Sequence, residues 1–85
     1  MAGKKWSDYE HLLVTPGTNF SSLVNKIRDE GDISKEDFKA WVRTTPYVPE
    51  GFTDEQLDVA LASEFILLKT YGAILIDKGV IRWVG

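Results

Sequence analysis

Apolar side chains recur with helical spacing in four segments of the chain. The second and third segments are the clearest, because their apolar residues stand three or four positions apart and therefore fall on one face of a helix. These residues are Phe20, Leu23, Val24 and Ile27 in the second segment and Phe38, Trp41 and Val42 in the third. Gly31 is placed to end the second helix in a left-handed cap, and Pro46 requires the third helix to end before it.

Polar residues mark where the helices begin. In a capping box, a Ser or Thr side chain and an acidic or amide side chain three residues later satisfy free N–H groups at the helix start. This pattern occurs at Ser7–Glu10, Ser34–Asp37 and Thr53–Gln56, and either Thr18 or Asn19 can cap the second helix. We therefore predict helices that start within two or three residues of Asp8, Phe20, Lys35 and Asp54.

The fourth predicted helix, from Asp54 to about Tyr71, is apolar on two sides. Its broad apolar face, interrupted by Glu64, consists of Leu57, Ala60, Leu61, Phe65, Leu67, Leu68 and Tyr71. Val59, Ala62 and Ile66 lie on roughly the opposite side. Two interpretations of this second stripe stay open. Either the first helix or the segment 46–51 covers it, with Glu64 at an edge, or a partner molecule covers it.

The C-terminal segment is predicted to form a β-hairpin. Residues 73–76 and 80–84 are rich in β-branched side chains, and Asp77-Lys78-Gly79 between them is a compact turn with Gly placed for a positive φ. Alternation puts Ile74, Ile76, Ile81 and Trp83 on one face and Leu75, Val80 and Val84 on the other. We expect the end of the hairpin at Trp83 and Val84 to form an apolar edge strand, and a bare edge invites pairing with another chain.

The hydrophobic core follows from these stripes. Each predicted core residue lies on the apolar face of its helix. The predicted core residues are Phe20, Leu23, Ile27, Phe38, Trp41, Leu57, Leu61, Phe65 and Leu68. Trp6, which follows Lys4 and Lys5, is expected to pack on this core beside the first helix.

Length and composition limit the possible functions. A chain of 85 residues with 44% hydrophobic and 27% charged residues predicts one folded domain over residues 1–85. The chain has no Cys and no N-terminal apolar run, which favours a cytoplasmic location, and its apolar runs are too short to span a membrane. His11 is the only His, and no phosphate-binding glycine motif is present. We therefore expect no enzyme activity, no metal and no cofactor.

The predicted order of elements resembles a winged-helix domain over residues 19–84. The most similar stretch is Leu61 to Val84, where a helix ends at Tyr71-Gly72 and a strand, a turn and a second strand follow. The fold class is thus mainly α with a C-terminal β-hairpin, in the order α-α-α-α-β-β. The resemblance implies duplex-DNA binding, with the helix Asp54–Tyr71 in the major groove and nucleic-acid contacts from Gln56, Lys78 and Arg82.

The charge distribution favours a different partner. The net charge is −3, and the first turns of the fourth helix carry Asp54, Glu55 and Asp58, which repel phosphate. We therefore predict a small non-enzymatic protein-binding module, an adaptor or an inhibitor of the viral or mobile-element type. Its predicted partner-binding residues are Val59, Ile66, Leu75, Arg82 and Trp83. The alternatives are a winged-helix transcriptional regulator that binds duplex DNA, and a structural or assembly subunit of a larger particle. A homodimer is compatible with each.

Overall fold

A computed structural model describes residues 5–85, and Lys4 lies outside this range. The helices are α1 (Trp6–Leu13), α2 (Asn19–Glu30), α3 (Lys35–Arg43) and α4 (Asp54–Thr70), and the strands are β1 (Asp32–Ser34), β2 (Ile74–Asp77) and β3 (Val80–Trp83). The predicted class, mainly α with a C-terminal β-hairpin, is confirmed, and each helix starts within the predicted range. The arrangement of helices and a small antiparallel sheet is compatible with a winged-helix fold.

Side-chain caps start three of the helices. Ser34 accepts a hydrogen bond from the Asp37 N–H, and Thr18 accepts one from the Ser21 N–H. At the start of α4 the box is complete, because Thr53 Oγ1 accepts from the Gln56 N–H and Gln56 Oε1 accepts from the Thr53 N–H. These bonds satisfy donors that the first helical turn leaves free.

The prediction of a capping box at Ser7 is wrong. The helix starts at Trp6, two residues before Asp8, with Lys5 at the cap position and no side-chain hydrogen bond there. The Glu10 carboxylate is occupied elsewhere: it accepts a hydrogen bond from Trp6 Nε1 at 3.3 Å and forms an ion pair with Arg28 of α2. Because Ser7 lies inside α1 and not at its cap, the reciprocal box between Ser7 and Glu10 does not form.

The three strands form one antiparallel sheet in the order β1-β3-β2. β3 is therefore the central strand, and our expectation of a bare edge strand at Trp83 and Val84 is wrong. The cause is the short extended segment before α3, since Ile33 pairs with Ile81 and Asp32 with Arg82. The hairpin turn has Lys78 at φ 51° and Gly79 at φ 76°, as a two-residue turn matched to the strand twist requires.

The hydrophobic core lies between the helices and the inner face of the sheet. Its buried members are Trp6, Leu23, Val24, Ile27, Phe38, Val42, Leu57, Leu61, Phe65, Leu68, Ala73, Ile74 and Ile81. Seven of the nine predicted core residues are in this set, whereas Phe20 and Trp41 are only partly buried and pack against it. Trp41 lies at the margin of the core, where the Lys26 ammonium is 5.5 Å from its ring centroid.

The first helix docks on the domain through aromatic contacts. Trp6 is 3% exposed, as predicted, and meets Trp83 edge-to-face with ring centroids 5.8 Å apart. Tyr9 packs on Tyr71 with ring centroids 4.8 Å apart. Together with the ion pair to Arg28, these contacts fix α1 against α2, the end of α4 and the inner side of β3. Between residues 5 and 85, no helix has the length and hydropathy that crossing a bilayer requires.

Candidate functional site

The outer face of α4 is exposed along its apolar stripe. Val59 is 68% exposed and Ile66 is 61% exposed, and Ala62 between them is also exposed. We call these three residues the helix surface. Since the opposite face of α4 already supplies Leu57, Leu61, Phe65 and Leu68 to the core, the helix surface is not required for the core of this chain.

The first interpretation of this stripe, a cover from within the chain, is wrong. The first helix packs on Tyr71 at the C-terminal cap of α4 and on Trp83 of β3, and the helix surface stays exposed. The loop between α3 and α4 packs against the core through Val48. This loop lies beside the buried face of α4 and leaves the helix surface open.

The predicted hairpin residues lie on opposite faces of the sheet. Leu75 is 59% exposed and pairs across the hairpin with Arg82, which is also exposed, and Arg82 Nε is 3.2 Å from Asp32 Oδ1 on β1. Trp83 points to the inner face, where it contacts Trp6 and where the Arg28 guanidinium lies 4.8 Å from its ring centroid. The structure therefore groups Leu75 with Arg82 and separates both from Trp83.

Two distinct apolar areas result. A groove on the outer sheet face is lined by Leu75, Ile76, Asp77, Lys78, Val80 and Arg82. A groove at Val59 is lined by Phe52, Glu55, Gln56, Val59 and Ala60. The two grooves share no residue, and only the second adjoins the helix surface. The predicted set thus divides into Val59 and Ile66 on α4, Leu75 and Arg82 on the outer sheet face, and Trp83 inside.

The acidic start of α4 is paired with cations of α3. Lys39 Nζ is 2.8 Å from Asp58 Oδ1 and 3.7 Å from Asp54 Oδ2, and Arg43 forms an ion pair with Asp54. Lys39 and Arg43 are therefore already engaged with carboxylates. Of the residues expected to contact DNA, Gln56 caps the helix through its side-chain oxygen, Arg82 pairs with Asp32, and Lys78 lies exposed in the turn.

Glu64 is a half-buried carboxyl of α4 with a shifted pKa. Burial raises the pKa of its carboxyl above the ordinary value, because partial removal from water disfavours the charged form. It lines a groove with residues of the loop between α3 and α4, among them Tyr47, Val48 and Phe52. Helical periodicity places Glu64 on the apolar face of α4, but the groove itself was not predicted. The aromatic residues flanking Pro49 were the available signal.

No metal-binding arrangement is evident in the part of the chain that the structure describes. There, no cluster of three or more His, Asp or Glu side chains is placed to hold an ion. Comparisons of the chain with known protein families, with curated proteins and with solved structures find no match.

Proposed function

We propose that this chain is a non-enzymatic module that binds another protein through the helix surface, as an adaptor or inhibitor. In this proposal the chain is a winged-helix variant in which α4 recognises a protein instead of DNA. The observation that carries the proposal is the exposure of Val59 and Ile66 opposite a face of α4 that is already buried.

The size of the apolar contribution supports this choice. Full burial of a Val or Ile side chain stabilises a contact by about 1.5–3 kcal/mol relative to exposure. Val59 and Ile66 lie about two helical turns apart, with the small Ala62 between them. Together they form a ridge suited to a groove or a second helix. Scattered exposed apolar residues need no explanation, whereas contiguous exposed apolar patches are typical of interaction sites, and the alignment of Val59 and Ile66 supports the proposal on this ground.

The test compares the double variant Val59→Ser, Ile66→Ser with the single control Leu12→Ser. Leu12 is 69% exposed and lies on α1, away from the helix surface. Each tagged protein is used as bait, and co-purified proteins are identified by mass spectrometry. We expect the double variant to keep its thermal midpoint and to lose a protein that the wild type and the Leu12 variant both retain. If all three baits capture the same proteins, the helix surface is not the binding site.

The DNA-binding alternative predicts a different behaviour. Duplex binding requires several Lys or Arg contacts with phosphate and gives a steep salt dependence. Because Lys39 and Arg43 are paired with Asp54 and Asp58, we expect no binding of mixed duplex DNA tighter than about 1 μM at physiological salt. A mobility-shift titration at several salt concentrations checks this prediction. Tighter, salt-sensitive binding would favour the regulator hypothesis.

A further inference from the structure

The groove that contains Glu64 lies beside the helix surface, between α4 and the loop that precedes it. Its wall on the loop side is formed by Tyr47, Val48 and Phe52, and Ala60 lies on its α4 side. The Tyr47 hydroxyl donates a hydrogen bond to Ser22 Oγ at 2.6 Å, which holds the ring against α2. The Tyr47 side of the groove is therefore already held in place in the free protein.

The Glu64 carboxylate lies in this otherwise largely apolar groove. Glu64 is half-buried, and within residues 5–85 it forms no hydrogen bond and no ion pair. The raised pKa of this carboxyl has burial as its cause. A carboxylate that is partly removed from water and lacks a partner gains more from an arriving cation than a fully hydrated one does.

The groove is continuous with the helix surface. Phe52 and Ala60 line both this groove and the neighbouring groove that contains Val59. Across residues 5–85, neither lining includes a Lys, Arg or His side chain, and Glu55 adds a second negative charge at the far end. Together the two linings are largely apolar and carry two carboxylates, Glu55 and Glu64.

We propose that the groove at Glu64 receives a basic side chain, Arg or Lys, from an otherwise apolar segment of the protein partner. This inference rests on the proposed function and specifies the chemistry of the partner. The partner's apolar residues contact Val59 and Ile66, and its basic side chain enters between Phe52 and Ala60 to reach Glu64.

The chemistry of the groove selects this occupant. The aliphatic stem of Arg or Lys can lie along apolar walls while the charged group pairs with the carboxylate. A guanidinium can also stack on an aromatic ring such as Phe52 or Tyr47. A purely apolar side chain would remove Glu64 further from water without a partner, and an acidic side chain would meet like charge.

The experiment selects a random dodecapeptide phage library on the wild type, on Glu64→Gln and on Glu36→Gln. Both variants lose one negative charge, but Glu36 lies on α3 outside the groove lining. Selected peptides are synthesised with Arg or with the uncharged analogue citrulline, and their affinities are compared. Amide shifts in NMR spectra locate the bound peptide, and thermal midpoints verify that each variant is folded.

We expect wild type and Glu36→Gln to enrich peptides in which a basic residue stands among apolar ones. For these proteins the Arg peptide should bind about tenfold more tightly than its citrulline analogue, with shifts at Tyr47, Phe52 and Ala60. On Glu64→Gln the preference should disappear. Equal affinity of the two peptides for the wild type, an unchanged preference in Glu64→Gln, or no enrichment at all would overturn the proposal.

The two proposals fail in different ways. If Val59→Ser, Ile66→Ser abolishes capture of a partner while the citrulline peptide binds as well as the Arg peptide, the helix surface is a binding site and the Glu64 groove is not a cation site. If the double variant retains every partner while the Arg preference depends on Glu64, the groove proposal stands and the proposed role of the helix surface is wrong.

Discussion

The two faces of α4 differ in what the fold requires of them. Phe65 and Ile66 are neighbours in sequence, yet Phe65 is 6% exposed and Ile66 is 61% exposed. The inner face packs Phe65 on Phe38 with ring centroids 5.7 Å apart. The outer face has an apolar stripe with no contact of this kind. Apolar character on the inner face is explained by folding, and on the outer face we propose that it serves binding.

The contrast also shows what an apolar side chain contributes in each place. A buried ring fills space in the core that a smaller replacement leaves empty. Its loss therefore creates a cavity in addition to the loss of buried apolar area. An exposed Ile side chain is largely in contact with solvent in the folded protein, so its replacement leaves no cavity. The outer stripe should therefore affect association and leave folding almost unchanged.

The largest expected effect is on the inner face. Phe65→Ala should lower the free energy of unfolding by about 3–5 kcal/mol, because it removes a buried ring and leaves a cavity. Ile66→Ala is the matched control and should change the free energy of unfolding by less than about 0.5 kcal/mol. Urea titrations followed by circular dichroism measure both. Similar losses for the two variants would show that the faces are not distinct.

Removal of a helix cap should cause a smaller loss of stability, and here too a control variant should show no loss. Thr53→Ala should cost about 1 kcal/mol, since the Thr53 hydroxyl caps α4. Ser7→Ala is the control, because Ser7 lies within α1 and makes no cap, and its midpoint should not change. A loss of stability in Ser7→Ala comparable to that in Thr53→Ala would restore the capping box that the sequence pattern predicted.

Local sequence patterns predicted the helices well because their determinants are local. The spacing of Leu57, Leu61 and Phe65 and the box at Thr53 depend only on neighbours in the chain. The pairing of Ile33 with Ile81 depends on residues far apart in sequence, so the central position of β3 could not be read from the hairpin alone.

The candidate site was predicted only in part, for the same reason. Exposure of Val59 and Ile66 follows from helix geometry, and the sequence identified both residues. The inward position of Trp83 depends on its contact with Trp6, and the groove at Glu64 depends on a hydrogen bond between residues 25 positions apart. Such long-range contacts leave no periodic signal.

The smallest expected effect concerns pH and the boundary between the two faces, where Glu64 lies. Burial raises the pKa of Glu64 from its ordinary value of 4.5. Protonation of this carboxyl is therefore more favourable in the folded state than in the unfolded chain. The stability contributed by this shift is fully present below the unfolded-state pKa and is lost as pH rises through the folded-state pKa.

Glu64→Gln should therefore gain stability relative to the wild type as pH rises above about 4.5. Thermal midpoints measured from pH 4 to pH 7 test this sign, with Glu36→Gln as the charge-matched control. A difference for Glu64→Gln that falls with rising pH would mean that the Glu64 carboxylate is stabilised in the folded state.

The most direct test of the binding role of α4 is methyl NMR on the complex with a captured partner. Methyl-labelled protein is titrated with that partner, and the signals of Val59 and Ile66 are compared with those of Leu12 and Leu75. We predict that the Val59 and Ile66 methyl signals shift or broaden first and most, while the Leu12 signals stay unchanged. Unchanged Val59 and Ile66 signals in a complex that shifts Leu75 would contradict the account and assign binding to the outer sheet face.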